Sequence, residues 1–268
     1  MGKSESASTT ELPGAPPAPG AEEKGWVSAS LPVRDAAPEA LLRLTQGEPR
    51  GFWAREGRWI VHAGQVASVR ISAAEGGGNE GEASRFSRVW KAAESVRQII
   101  LESVSSGGSS SSPRLFGGFS FAEGHASAEI WSSFPSALFI LPEIELVAGK
   151  DGGSLTLRGP RLPSEDLPSV YRRLCRELKE LRTRLEAPHS SAGRMRRQDA
   201  SGIILEPGRG VWGRMVDDAL GAIGEGEFAK VVMARLLEAS FPPGGAPDPV
   251  DVALNLWREN PSSHVFLF

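Results

Sequence analysis

Two β-prone runs, GFWAREG and RWIVHAG, are split only by Glu56-Gly57. So short a link leaves an antiparallel hairpin as the natural connection, because parallel neighbours need a crossover of a dozen residues or more. QVASVRIS follows, with Val66, Ser68 and Ile71 in loose alternation, and the three runs together predict an antiparallel meander. Upstream, WVSASLPV reads as a strand and PEALLRL as a short helix. Downstream, RLFGGFSF and SALFILPEIELV carry the β-branched and aromatic content of strands, and SLTLRG can pair with the second of them. The predicted fold class is α+β, a largely antiparallel sheet with helices packed outside.

Four stretches change period from two to 3.6. Phe86, Val89, Trp90, Ala93, Val96, Ile99 and Ile100 share one helical face. From about Ser164, a stripe of Leu167, Val170, Leu174, Leu178, Leu181 and Leu185 predicts a second helix, closed by Pro188. A third gathers Trp212, Met215, Val216, Ala219 and Ile223 and stops at Gly224. The fourth has Asp248 as cap, Pro249 at its first position, Asp251 near its positive end and Asn260-Pro261 as its stop. Between the last two, EFAKVVMARLLEAS reads as a strand, and SSHVFLF as another.

Composition divides the chain into three parts. Residues 1–25 are Ser-, Ala-, Pro- and Gly-rich, with too few large apolar side chains to offset the entropy of ordering, so a disordered tail is expected. The polar stretch HSSAGRMRRQDASG marks a boundary, separating an N-terminal α+β region over 26–198 from a second module over 199–268. The formal net charge of -3 gives no field that would draw a nucleic acid or an anionic membrane, which leaves a small molecule as the partner. One cysteine, Cys175, permits neither an intramolecular disulfide nor a cysteine metal cluster. With no secretory signal and no eighteen-residue apolar run, a cytoplasmic location is expected.

The candidate catalytic residue is Lys230. If it opens the strand Lys230–Leu237, it shares a face with Val232, Ala234 and Leu236 and stands at the rim of an apolar surface. Partial desolvation disfavours the ammonium, which is how a lysine becomes a general base near neutral pH. The competing reading is a solvated lysine at a strand end.

The run from Val211-Trp212 through Ile223, then Gly226, KVVMAR and DVALNLWRENPSSHVFLF, resembles the start of the chorismate-binding module of isochorismate and salicylate synthases. The upstream segments GFWAREG, FGGFSF and IWSSFPSALFILPEIEL resemble the amino-terminal region of the same chorismate-utilising family. The resemblance implies an isochorismate synthase, converting chorismate to isochorismate by water addition at C2 and loss of the C4 hydroxyl, in menaquinone or siderophore synthesis. It assigns Lys230 the role of the base that activates water. Anthranilate and aminodeoxychorismate synthases usually carry glutamine there, which favours hydroxyl addition over amination.

The resemblance further implies magnesium as cofactor, with the metal ligands and the general acid in a carboxyl-terminal half, and a monomer when complete. The chain stops at Phe268 inside an apolar strand. The expectation is therefore a partial chorismate-binding fold, inactive alone. A salicylate synthase, an anthranilate or aminodeoxychorismate synthase component I, and a non-catalytic fragment or paralogue are the other readings. His62, His125, His189 and His264 are too scattered to suggest a metal site, and the FGGFSF glycines are read as a turn within a sheet. Asp217 and Asp218 point to different faces, and Arg235 is assigned a structural ion pair.

Overall fold

The alternation of the sequence becomes a sheet with one greasy and one polar face. The computed structural model describes residues 25–34, 36–71, 84–105, 112–121, 134–149, 152–187 and 200–268. The N-terminal tail, GGGNEG, most of SSGGSSSSP and HSSAGRMRRQ lie outside the described residues, as do His125 and His189. The chain divides into two compact units, Met1–His189 with Trp257–Phe268, and Ser190–Leu256. This differs from a second module over 199–268, because the last strand joins the sheet of the first unit.

The first unit holds a seven-stranded sheet. Its strands are β1 (Trp26–Val33), β2 (Arg50–Arg55), β3 (Arg58–Ala63), β5 (Ile100–Ser105), β8 (Ile144–Gly149), β9 (Gly152–Pro160) and β12 (Val265–Leu267), in the order β12-β2-β3-β8-β9-β1-β5. Every pairing is antiparallel except β1 with β5. Between β2 and β3, Glu56 (φ 52) and Gly57 (φ 77) form a two-residue turn with both φ positive, the geometry that follows the twist of a hairpin.

On one face Phe52, Ala54, Val61, Leu146, Leu155, Val27 and Ala29 are buried. Helices α1 (Pro38–Leu44) and α3 (Leu167–Glu186) pack on this sheet. The expected stripe of α3 is the one that is buried, through Val170, Leu174, Leu178 and Leu185. Each such side chain contributes about 1.5–3 kcal/mol by leaving water. Asp166 caps α3 by accepting from the Ser169 N–H at 2.8 Å. Gly159 lets the helix approach, because a Cβ there would lie 2.5 Å from a Leu174 methyl.

A second sheet takes the order β4 (Ala67–Ile71), β7 (Ala137–Leu141), β6 (Phe116–Phe119), with α2 (Arg85–Gln98) against it. Val69, Ile71, Val89 and Ala137 form its core. Four expectations are corrected here. The meander ends at β3, whose other neighbour is β8, while β4 leaves for this sheet. SALFILPEIELV breaks at Pro142-Glu143 into β7 and β8, which serve different sheets, because proline cannot donate to a ladder. Helix α2 ends at Gln98, and Ile100 opens β5 beside β1; Phe86 and Trp90 stay exposed. The FGGF glycines lie within strand β6 rather than in a turn.

The second unit contains β10 (Gly202–Glu206) paired antiparallel with β11 (Leu236–Ser240), helix α4 (Arg209–Gly224), and the start of α5 (Pro249–Glu259). Asp248 caps α5 as expected, accepting from the Val250 N–H at 2.8 Å. Strand β10, in a stretch read as part of a polar boundary and beyond, was given no element by pattern. The architecture as a whole is α+β and mostly antiparallel.

Candidate functional site

Lys230 lies in the segment between α4 and β11 and is exposed. Residues 230–235 take no regular structure, and the strand begins only at Leu236, so the expected strand Lys230–Leu237 is corrected to Leu236–Ser240. The reason is local: the ladder with β10 ends where Leu236 meets Glu206, and Pro207, which follows, has no N–H to offer a further rung.

The setting of Lys230 is nonetheless apolar. Phe228, Val231 and Val232 flank it in sequence, and all three are exposed, Val232 at 82%. Leu236 and Leu237 follow, and Leu237 pairs with Leu205 of β10; these too are exposed, as are Ile203 and Ile204. Helix α4 buries no residue, with Trp212, Val216 and Ala219 half-buried and Met215 and Ile223 exposed. Among the described residues Arg235 makes no ion pair of the kind expected. It donates from Nε to the Pro207 carbonyl at 3.1 Å and sets its guanidinium 5.9 Å from the Trp212 ring centre. Asp217 and Asp218 are exposed on α4.

The first unit holds a polar group that sequence reasoning missed. Gly51, His62, Glu145, Thr156 and Ser30 are successive register partners across β2, β3, β8, β9 and β1, so their side chains share the face opposite the apolar core. Glu145 is buried and bonded by two arginines: Arg158 Nη2 reaches its Oε2 at 3.1 Å and Arg114 Nε its Oε1 at 2.6 Å. Arg158, also buried, donates to the Pro142 carbonyl as well. Burial pulls the Arg158 pKa down, and Glu145 opposes that pull. Ser30 and Thr156 bond each other at 2.8 Å.

His62 stacks on Phe116 with ring centres 4.4 Å apart, and its Nδ1 has no partner. Desolvation lowers its pKa to about 4, so the ring is neutral at pH 7. Gly51 is required beside it, since a Cβ there would lie 2.3 Å from His62 Nε2. The signal that could have found this group is the set of polar residues on one alternating face: His62 in RWIVHA, Glu145 in IELV, and Thr156 and Arg158 in SLTLRG.

A family model described as chorismate binding enzyme matches residues 17–268. The chain belongs to that family. Among solved structures, MenF, the menaquinone-specific isochorismate synthase from Escherichia coli, has a similar fold, with a TM-score of 0.53 and 16% identity. The match covers 91% of this chain and 47% of that one, so the chain spans about half the length of that structure. Comparison with curated proteins gives no match.

For a chorismate-binding enzyme the natural question is where a metal would sit. Among the described residues no three His, Cys, Asp or Glu side chains cluster to hold one. Those residues therefore do not fit the magnesium implied by resemblance. Glu145 is committed to two guanidinium groups, and the His62 Nδ1 stands without a carboxylate to orient it. No helix among the described residues is long and apolar enough to cross a membrane.

Proposed function

We propose that this chorismate-binding enzyme is an isochorismate synthase, acting in the cytoplasm on chorismate, with Lys230 as its general base. The observation that carries the reading is the apolar patch around Lys230. Phe228, Val231, Val232, Leu236 and Leu237 are all open to water, and such a patch of large side chains is a surface built to be covered. Covering it would take the Lys230 ammonium out of water and favour the neutral amine. A neutral amine can accept a proton from the water that adds at C2 of chorismate, while the C4 hydroxyl departs with a proton from an acid outside the described residues. The resemblance of KVVMAR and the MenF-like fold support this assignment.

Because the chain spans about half of the matched structure, the activity is proposed for the complete fold of that kind. Magnesium stays part of the proposal on resemblance alone, and no step above depends on it. The test is product analysis from chorismate. Isochorismate is expected, and Lys230→Ala should lower kcat/KM by about 10²–10⁴. Unchanged turnover in that variant would remove Lys230 from the chemistry. Salicylate with pyruvate, or an ammonia-dependent aminated product, would move the enzyme to another branch of the family.

A further inference from the structure

The polar face of the seven-stranded sheet carries a cleft of about 950 Å³ at the hairpin ends of β2–β3 and β8–β9, within the first unit. Its floor is one row of register partners, Trp53, Ile60, Val147 and Ser154, which is flat and largely apolar. Its charged groups are Arg55, Arg58 and Arg114, against the single carboxylate of Glu56. Room is left by glycine: Gly149, Gly152 and Gly153 line the cleft, and the stem of Arg58 passes where a Cβ on Gly149 would touch it at 3.5 Å.

Among the described residues the cations are only partly neutralised. Arg55 and Arg58 are direct cross-strand partners, an arrangement of like charges that destabilises a hairpin. Glu56 pairs with Arg55 at 3.2 Å, and Arg58 has no carboxylate partner among the described residues. Arg114 uses Nε and Nη2 on Glu145, which Arg158 also engages. Among the described residues four guanidinium groups thus face two carboxylates, a surplus of two positive charges at a half-apolar cleft. A guanidinium that a fold keeps near others of its sign, over a flat apolar floor, suits an oxyanion with a hydrophobic body.

We propose that this cleft binds a small organic anion, its phosphate or carboxylate head held by Arg58 and Arg114 and its flat apolar body lying on Trp53, Ile60 and Val147. The site is separate from Lys230, which belongs to the other unit, and does not rest on the isochorismate synthase reading.

Isothermal titration of the chain with phenyl phosphate, benzoate, inorganic phosphate and benzyl alcohol tests it. At least one of phenyl phosphate and benzoate should saturate at one per chain, at least tenfold tighter than inorganic phosphate, which has the head alone, or benzyl alcohol, which has the body alone. Comparison of the two binders tells a phosphate site from a carboxylate site. Arg58→Gln should weaken that binding tenfold or more, while Arg214→Gln, an exposed arginine on α4, should leave it unchanged. Circular dichroism of both variants shows that the fold persists. Absence of saturable binding, equal affinity for inorganic phosphate, or equal loss in the two variants would overturn the proposal.

Discussion

The two units of this chain are written in the same alphabet of amphipathic helices and alternating strands, yet the first buries most of what its pattern marks as apolar, while the second buries little beyond Val250, Ala253 and Leu254 of α5. In the first, α3 lays Val170, Leu174, Leu178 and Leu185 on a sheet whose inner face is Val27, Leu155, Leu146 and Phe52, and every one of these is buried. In the second, α4 buries nothing, and β10 and β11 leave Ile203, Leu205, Leu236 and Leu237 in water. Periodicity states which face requires burial. It does not state where the covering surface comes from, and among the described residues the second unit provides none for α4, β10 and β11.

The comparison is broken most severely at Glu145. Glu145→Ala leaves Arg158 buried with its charge uncompensated, and should destabilise the first unit by about 3–5 kcal/mol in denaturant unfolding. Leu178→Ala, in the core between α3 and the sheet, should cost about 2–5 kcal/mol by the same measurement.

A pH series sharpens the contrast, because the one strongly displaced histidine among the described residues belongs to the first unit. The folded His62 pKa of about 4 lies below its ordinary 6.5, so between those values the unfolded chain binds the extra proton. Its contribution is constant above pH 6.5, is lost as the pH falls through that window, and is fully lost below about 4, a difference of about 3 kcal/mol. His62→Phe, which keeps the ring stacked on Phe116, should flatten the stability profile between pH 6.5 and 4 relative to the parent chain. An unaltered slope would assign the acid sensitivity elsewhere. The smallest effect is expected in the second unit, where Val232→Ala should change stability by no more than about 0.5 kcal/mol. A cost approaching that of Leu178→Ala would mean the patch around Lys230 is already buried.

Much of the fold was legible because it is local. The Glu56-Gly57 turn, the α3 stripe, the Asp248 cap and the α+β class all follow from spacing and residue type within a few positions. What was not legible is long-range. Nothing in Ile100–Ser105 announces that it lies parallel to Trp26–Val33, and nothing within QVASVRIS says that it pairs with Ala137–Leu141 rather than with its neighbour. At the candidate site, KVVMAR drew attention to Lys230 by resemblance, but its apolar alternation was read as a strand that begins six residues too early. The Arg114, Glu145 and Arg158 group was invisible because Arg114 and Arg158 lie 31 and 13 residues from Glu145 and meet it only in the folded sheet.

The central claim is that the first unit is a finished core while the surroundings of Lys230 still await their cover. Amide hydrogen exchange along the whole chain measures this directly, since protection reports the free energy of local opening. The account predicts strong protection in β1, β8, β9 and α3, and exchange faster by orders of magnitude in α4, β10 and residues 228–237. Equal protection in the two units would contradict it.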